Sequence, residues 1–325
     1  MTTSRRQVLA AAAGVGLLGP VLAADPSGFR LGVLPFGTVS WEAEVIRSLR
    51  FDEAEGFRLE QVRLAGNDAA RIAFLGGQVD AIVSDLLWAA RLRNEGRAVH
   101  FLPFSATEGA LMVPPETEIS RLGDLKGKRI GIAGGALDKN WLLLRAAAER
   151  EGLDLPNAAS IAYGAPPILA EKLQSGELDA ALLYWTFCAR LEAKGFRRLI
   201  GADQIAGRFG VTDRIALLGY LVDEPQGGDR IRLIQGFLRA SQAAKRELVS
   251  SDAAWALVRP LMEAPDEASF QALRRYFLEG IPRRPVAAER ADAERLFRVL
   301  AGVGGEKLVG RGASLPPGLY WDPPV

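Results

Sequence analysis

The chain has very little histidine or cysteine, two residue types that often carry out chemistry in enzymes. Among its 325 residues there is one histidine, His100, and one cysteine, Cys188. A single cysteine excludes an intrachain disulfide, and no Ser-His-Asp arrangement or Cys/His metal spacing stands out. We interpret His100 as a strand-edge residue and Cys188 as a small core residue. The sequence therefore predicts no catalytic residue, no bound metal and no cofactor.

Net charge is also nearly absent. Forty basic residues balance 39 acidic ones, and the basic residues form no stripe, so nothing indicates a nucleic-acid-binding surface. Apolar residues make up 49% of the chain, which is enough to bury a large core. This length and composition predict a folded protein of two domains.

A long apolar run occurs only near the N-terminus. Arg5-Arg6 precede an Ala/Gly/Leu-rich stretch that ends at Leu22. The pattern predicts an export signal over residues 1–24, and therefore a periplasmic protein without a stable membrane anchor. The run of about 15 apolar residues is short for a membrane span. The paired arginines resemble a twin-arginine leader, and a Sec signal is the alternative.

One sequence pattern occurs twice, at Gly77–Val83 and at Gly176–Leu182. Each copy reads Gly, polar, apolar, Asp, Ala, apolar, apolar, which predicts a helix that ends at glycine and continues as a buried strand. The copies lie 99 positions apart (77 to 176) and predict two similar α/β lobes. Ligands of such sheets bind beyond the carboxyl ends of the strands. We therefore expect Ser84-Asp85 and Tyr184-Trp185, which follow the copies, to face each other across a cleft.

Strands and helices alternate along most of the chain, which is typical of mostly parallel sheets with crossover helices. The apolar segments 110–113 and 215–222 are predicted to be strands that cross between the lobes. Lobe 1 is then discontinuous, with residues 25–108 and 216–325, and lobe 2 comprises residues 109–215. Four amphipathic helices are expected after residue 228, and the Pro/Gly-rich segment 315–324 is expected to be an extended strap.

Three features of the sequence together resemble one family. They are the segment Leu122-Gly-Asp-Leu-Lys-Gly-Lys-Arg-Ile130, the strand, loop and helix after it, and the Gly176–Ala180 pattern with Trp185. It is the nitrate/sulfonate/taurine family of ABC-transporter periplasmic substrate-binding proteins, which includes relatives similar to the pyrimidine synthase of thiamine synthesis. The resemblance implies an α/β type II periplasmic binding fold. In that fold two lobes, each with a mostly parallel sheet flanked by helices, are joined by two crossing strands.

The resemblance also implies that a small molecule is held between the lobes and delivered to a membrane permease with a separate ATPase. It places ligand-binding residues in loops after the strands: Gly37, Thr38, Trp41, Ser84, Asp85, Ser105, Thr107, Gly134, Gly135, Asp138, Lys139, Tyr163, Tyr184 and Trp185. Several of these residues have a structural alternative. Asp85 and Asp138 are also expected helix caps, and Trp41 fits a core position.

The charge of the ligand stays open at this stage. Helix N-termini and Lys139 favour a small organic anion. Several carboxylates beside aromatic residues instead favour an amine, a heterocycle or a metal ion: Asp85, Asp138, Glu42 and Glu108. The expected function is a monomeric, non-enzymatic binding protein for uptake. The alternatives are a periplasmic accessory or sensor protein and an enzyme on the same fold.

Overall fold

Two five-stranded sheets organise the chain in a computed structural model that describes residues 28–35 and 37–322. The predicted export signal lies outside these residues. The strands are β1 (Gly28–Val33), β2 (Arg58–Arg63), β3 (Ala81–Asp85), β4 (Val99–Ser105), β5 (Gly109–Val113), β6 (Arg129–Ala133), β7 (Ser160–Gly164), β8 (Ala180–Tyr184), β9 (Arg197–Gly201) and β10 (Leu218–Asp223).

The two sheets have the same topology. Sheet 1 has the order β2-β1-β3-β10-β4 and sheet 2 the order β7-β6-β8-β5-β9. In each sheet four strands run in the same direction, and the fourth position holds the one antiparallel strand: β10 in sheet 1 and β5 in sheet 2. We call sheet 1 with its flanking helices lobe 1, and sheet 2 with its helices lobe 2. The predicted α/β fold with two crossing connections is confirmed, while the exact domain limits stay a prediction.

The repeated sequence pattern has the same structural role in both lobes. Gly77 and Gly176 adopt positive φ angles of 67° and 76°, which favour glycine, and the following Asp begins the turn into the strand. Asp80 accepts hydrogen bonds from the backbone N–H and guanidinium of Arg30 on β1. Asp179 does the same for Arg129 on β6. In each lobe the repeated pattern therefore anchors the start of the central strand, β3 or β8, to its neighbour, β1 or β6.

Helices cover both faces of the sheets and connect the parallel strands. They are α1 (Val39–Ser48), α2 (Phe51–Ala54), α3 (Asn67–Leu75), α4 (Leu86–Asn94), α5 (Lys139–Arg150), α6 (Leu155–Ala158), α7 (Pro166–Gln174), α8 (Trp185–Glu192), α9 (Ala202–Gly207), α10 (Gly228–Ser250), α11 (Asp252–Val258), α12 (Glu267–Glu279), α13 (Val286–Gly304) and α14 (Glu306–Val309). Among the described helices, none is long and apolar enough to cross a membrane.

The C-terminal helices pack on both lobes. Helix α10 packs on α1 of lobe 1, whereas α12 packs on α8 and α13 on α5 of lobe 2. Helix α11 ends at Val258, and Arg259-Pro260-Leu261 continues it as a 3-10 turn. The return strand begins at Leu218 rather than Ile215, and α2, α6, α9 and α14 were not predicted.

The predicted strap is confirmed at the edge of sheet 1. Phe101 on the edge strand β4 donates its N–H to Leu319 O at 2.7 Å and accepts from Trp321 N at 3.2 Å. Leu319, Tyr320 and Trp321 are buried. The segment thus covers an edge that would otherwise expose unpaired backbone groups.

Candidate functional site

A cavity of about 530 Å³ lies between the carboxyl ends of the two sheets. Its walls include Leu34 after β1 and Asp85 at the end of β3, both in lobe 1. Lobe 2 contributes Gly134 after β6 and Tyr184 at the end of β8. Parallel strands of both lobes therefore point their carboxyl ends into one space, which we call the cleft.

Nine of the fourteen predicted site residues line the cleft: Gly37, Thr38, Ser84, Asp85, Gly134, Asp138, Lys139, Tyr184 and Trp185. The Ser84-Asp85 and Tyr184-Trp185 pairs thus border the same cavity from opposite lobes. Ligand contact by these residues stays a prediction.

The other five predicted residues lie outside the cleft lining. Ser105 and Thr107 turn toward the end of α12, where Thr107 Oγ1 donates to Tyr276 O at 2.9 Å. Tyr163 is half exposed on the edge strand β7. Gly135 lies in the turn before α5. Trp41 is buried, with its ring packed on other aromatic rings.

A buried ion pair joins the connection between the lobes to helix α5. Lys139 Nζ lies 2.8 Å from Glu108 Oε2, with side-chain exposures of 13% and 8%. Lys139 is therefore not solvent-facing, because its charge is directed at Glu108. Burial opposes that charge, yet the carboxylates of Glu108, Asp138 and Asp85 hold the pKa of Lys139 above its usual value. The other carboxylate oxygen of Glu108, Oε1, is buried without a hydrogen-bond partner among the described residues.

Asp85 and Arg71 form the polar wall of lobe 1. Asp85 Oδ1 accepts the N–H of Trp88 at 2.9 Å, so it caps α4 as expected. Its second oxygen, Oδ2, accepts from Arg71 Nη2 at 3.2 Å. The Arg71 guanidinium carbon lies 5.0 Å from the centroid of the Trp88 ring, a cation–π arrangement. One cation, one anion and one aromatic face thus form a single wall.

Asp138 and Tyr184 approach each other over a glycine in lobe 2. Asp138 Oδ1 caps α5 by accepting the N–H groups of Asn140 and Trp141 at 2.9 and 3.2 Å. A Cβ atom at Gly134 would lie 2.5 Å from Asp138 Oδ2 and 2.7 Å from Tyr184 Oη. Gly134 also has a φ of 84°, so both space and conformation require glycine here. Burial raises the pKa of Asp138 and of Tyr184.

Trp185 connects the cleft to the contact between the lobes. Its ring lies 5.9 Å from that of Trp41 in an edge arrangement and 6.1 Å from that of Tyr276 in a stacked one. Its backbone N–H donates to Glu108 O at 2.9 Å. Trp185 therefore lines the cavity and also packs α8 against α1 and α12.

Three helix N-termini at the cleft have no side-chain cap. Helices α1, α3 and α8 begin at Val39, Asn67 and Trp185, which line the cavity, and none has a capping hydrogen bond from a side chain. Uncapped helix starts carry backbone N–H donors and partial positive charge. The cleft therefore offers hydrogen-bond donors from both lobes.

The residues with metal-binding or nucleophilic chemistry lie elsewhere. Cys188 is fully buried in the core, and burial raises the pKa of its thiol to about 12. His100 lies on the edge strand β4, where Nδ1 is 2.9 Å from Gly318 O. Within residues 28–35 and 37–322 no group of three or more His, Cys, Asp or Glu could hold a metal ion.

Sequence reasoning missed two residues of the cleft that the structure makes prominent. Glu108 was noted only as one carboxylate among several, because its partner Lys139 lies far along the chain. Arg71 follows Asn67 by four residues and so lies on the same face of α3, a spacing that could have indicated it.

The paired topology and the cleft between the sheets define the class: this is a type II periplasmic binding fold. Residues 103–249 match the family described as NMT1/THI5 like. This match confirms the resemblance seen in the sequence motifs. No curated protein matches the chain significantly in sequence.

Solved structures support the same fold. The periplasmic aliphatic sulphonate binding protein SsuA from Escherichia coli matches with a TM-score of 0.70 and 17% identity, over 92% of this chain and 94% of that one. The alkanesulfonate-binding protein SsuA from Xanthomonas axonopodis pv. citri, bound to MOPS, matches with a TM-score of 0.63 and 16% identity, over 92% and 99%. The desulfurization enzyme DSZB matches with a TM-score of 0.60 and 17% identity, over 89% and 95%. At these identities the likeness concerns the fold.

Proposed function

We propose that this protein is the periplasmic solute-binding component of an ABC importer, which captures a small organic molecule in the cleft and delivers it to a permease. The observation that carries this proposal is the cavity itself. It is lined by strand ends and helix starts from both lobes, and its volume suits a small molecule. Binding between two lobes also gives a means of signalling occupancy, because the lobes can close on the ligand.

The residues that line the cleft suit a ligand with two parts. One part is a hydrogen-bond acceptor, such as an acidic group, and the other is apolar. Lys139 is paired with Glu108, and Asp85 and Asp138 each use one oxygen as a helix cap. The N–H groups of Ser40, Trp41 and Trp185 are bonded to backbone carbonyls. The other first-turn N–H groups of α1, α3 and α8 have no side-chain cap and are the donors that we assign to a sulfonate, carboxylate or similar group. Trp88, Tyr184 and Trp185 offer aromatic faces for the rest of the molecule.

The first test identifies a ligand and assigns it to the cleft. Thermal shift measurements against sulfonates, carboxylates, amines and metal ions should find a stabilising acid, whose affinity is then measured by calorimetry. Tyr184→Ala should weaken that affinity by more than about 1 kcal/mol, because it removes an aromatic face at the cavity. Tyr163→Ala is the matched control, since this tyrosine lies near the carboxyl end of β7 in the same sheet but outside the cavity.

Two outcomes would overturn the proposal. Stabilisation by cations alone would contradict an acceptor-bearing ligand. Equal affinity in wild type and Tyr184→Ala would place binding outside the cleft.

An enzymatic role is the second candidate, because DSZB shares the fold. The one cysteine and the one histidine of the chain lie outside the cleft lining, so neither can act on a bound molecule there. The proposed protein therefore returns its ligand unchanged. Mass spectrometry of the ligand after prolonged incubation checks this, and any converted product would favour the enzyme.

A further inference from the structure

One carboxylate in the wall of the cleft has no ion-pair partner among the described residues. Three cations of the wall are paired with carboxylates: Arg71 with Asp85 at 3.2 Å, Arg91 with Glu95 at 2.8 Å, and Lys139 with Glu108 at 2.8 Å. No Lys or Arg within residues 28–35 and 37–322 lies at salt-bridge distance from Asp138. Asp138 therefore brings a negative charge to the cavity that these cations do not neutralise.

One oxygen of Asp138 is available to a ligand. Oδ1 caps α5, whereas Oδ2 accepts no hydrogen bond from the described residues. The side chain lines the cavity and is half-buried, so it can be reached from the cleft. Burial raises the pKa of Asp138, which means that its charge is incompletely compensated within the protein. A cationic donor at Oδ2 would complete that compensation.

Tyr184 places a second acceptor beside Asp138. Its ring is 37% exposed, and its hydroxyl has no hydrogen-bond partner in the described part of the chain. A Cβ atom on Gly134 would lie within 2.7 Å of both Tyr184 Oη and Asp138 Oδ2, so the two oxygens flank the same glycine. They come from different elements, the end of β8 and the cap of α5. Two neighbouring acceptors suit a group with several N–H donors, such as an ammonium group.

The wall also contains a cation that is free to meet an acid. Lys307 on α14 lines the cavity and is exposed, and no carboxylate of the described residues lies at salt-bridge distance from it. Both kinds of charge are therefore available in one cavity, a carboxylate at Asp138 and an ammonium group at Lys307.

We propose that Asp138, together with Tyr184, determines the specificity of the cleft by selecting ligands that carry a cationic nitrogen group in addition to an acidic group. This inference rests on the proposed function, because it concerns the ligand of the same cleft. Asp138 Oδ2 and Tyr184 Oη accept the N–H donors of the ligand, and its acidic group binds Lys307 or helix-start N–H groups. An acid without the nitrogen group leaves the Asp138 carboxylate unpaired and binds more weakly.

Calorimetry with matched probes tests this selection. The pairs are γ-aminobutyrate and butyrate, ε-aminocaproate and caproate, and homotaurine and propanesulfonate, which differ within each pair by one amino group. We expect at least one amino compound to bind about tenfold or more tightly than its partner, since it adds a charge-assisted hydrogen bond.

Two variants assign the selection to these side chains. Asp138→Asn keeps the capping oxygen and removes the charge, so it should weaken binding of the amino compound about tenfold and leave its amine-free partner unchanged. Tyr184→Phe keeps the aromatic face and should weaken the amino compound about fivefold. Asp266→Asn is the matched control, because Asp266 also caps a helix, α12, but is exposed and lies outside the cavity.

The proposal is overturned if no amino compound binds more tightly than its partner, or if Asp138→Asn retains the wild-type preference. It is also overturned if Asp138→Asn weakens both members of a pair equally, which is the result of a purely structural role. An acid that binds without preference for nitrogen, and more weakly to Tyr184→Ala, would contradict this inference and leave the proposed function standing. Binding that Tyr184→Ala does not change would contradict both.

Discussion

Charged residues in the cleft are largely matched to partners within the protein. Glu108 and Lys139 neutralise each other, and Asp85 is shared between Arg71 and the start of α4. The sequence indicated the capping aspartates, because Asp before a helix is a local signal. It could not indicate the Glu108–Lys139 pair, because that contact depends on how the connection between the lobes packs on α5.

Breaking the Glu108–Lys139 pair should destabilise the protein. Glu108→Gln leaves a nearly buried ammonium group without its closest carboxylate, and we expect a loss of about 3 kcal/mol in the free energy of unfolding. Urea denaturation measures this. The double variant Glu108→Gln/Lys139→Met should recover part of the loss, since no unpaired charge remains. A single variant as stable as wild type would show that the pair is not structurally important.

Glu289 should make stability depend on pH. Burial raises its pKa to about 7, against the opposing effects of the Ala216 backbone N–H and the Arg284 charge, and Tyr320 is its other titratable neighbour. An acid with a raised pKa in the folded state costs nothing below its unfolded pKa, and its cost grows until the pH passes the folded pKa.

Glu289→Gln removes that cost. The variant should therefore gain stability relative to wild type as the pH rises from 5 to 8, by up to about 3 kcal/mol. Thermal unfolding across this pH range measures the difference, with the exposed Glu118→Gln as control. A difference between Glu289→Gln and wild type that does not change with pH would contradict this.

Elements with strong local signals were predictable from sequence. Helix α5 is one of these elements, because Asp138 caps it and its apolar residues repeat with helical spacing. The turn from Gly77 to Ala81 and its copy were predictable because each needs a glycine with positive φ. Short helices such as α2 and α14 have only four residues, too few to show a period.

The C-terminal strap is an element whose position depends on long-range packing. Its composition predicted an extended segment, but not the edge strand that it covers. Tyr320 is 2% exposed beside Phe101, with ring centroids 5.6 Å apart, and its hydroxyl has no partner among the described residues.

Two substitutions at Tyr320 separate the contribution of the ring from that of the hydroxyl. Tyr320→Ala should cost about 3 kcal/mol, because it leaves a cavity under the strap. Tyr320→Phe should be neutral or slightly stabilising, because it removes only an unpaired polar atom. Thermal unfolding compares them. If Tyr320→Ala unfolds at the wild-type temperature, the strap does not stabilise sheet 1.

At the scale of the whole molecule, two lobes of the same topology meet at the cleft. Trp185 lines the cleft and packs on Trp41 and Tyr276, so its aromatic contacts join the elements beside the cavity. The repeated sequence pattern was enough to predict the two similar lobes. It did not predict that α12 and α13 pack on helices of lobe 2, because those contacts join residues that lie far apart in the chain.

The central claim is that the cleft holds one small molecule and leaves it unchanged. Native mass spectrometry after incubation with a metabolite extract of the source cells tests this most directly, by comparing native and denatured masses. We predict one bound compound per chain, released intact on denaturation and bound at lower occupancy by Tyr184→Ala. No added mass in the wild-type protein, or release of a compound that the extract did not contain, would contradict the account.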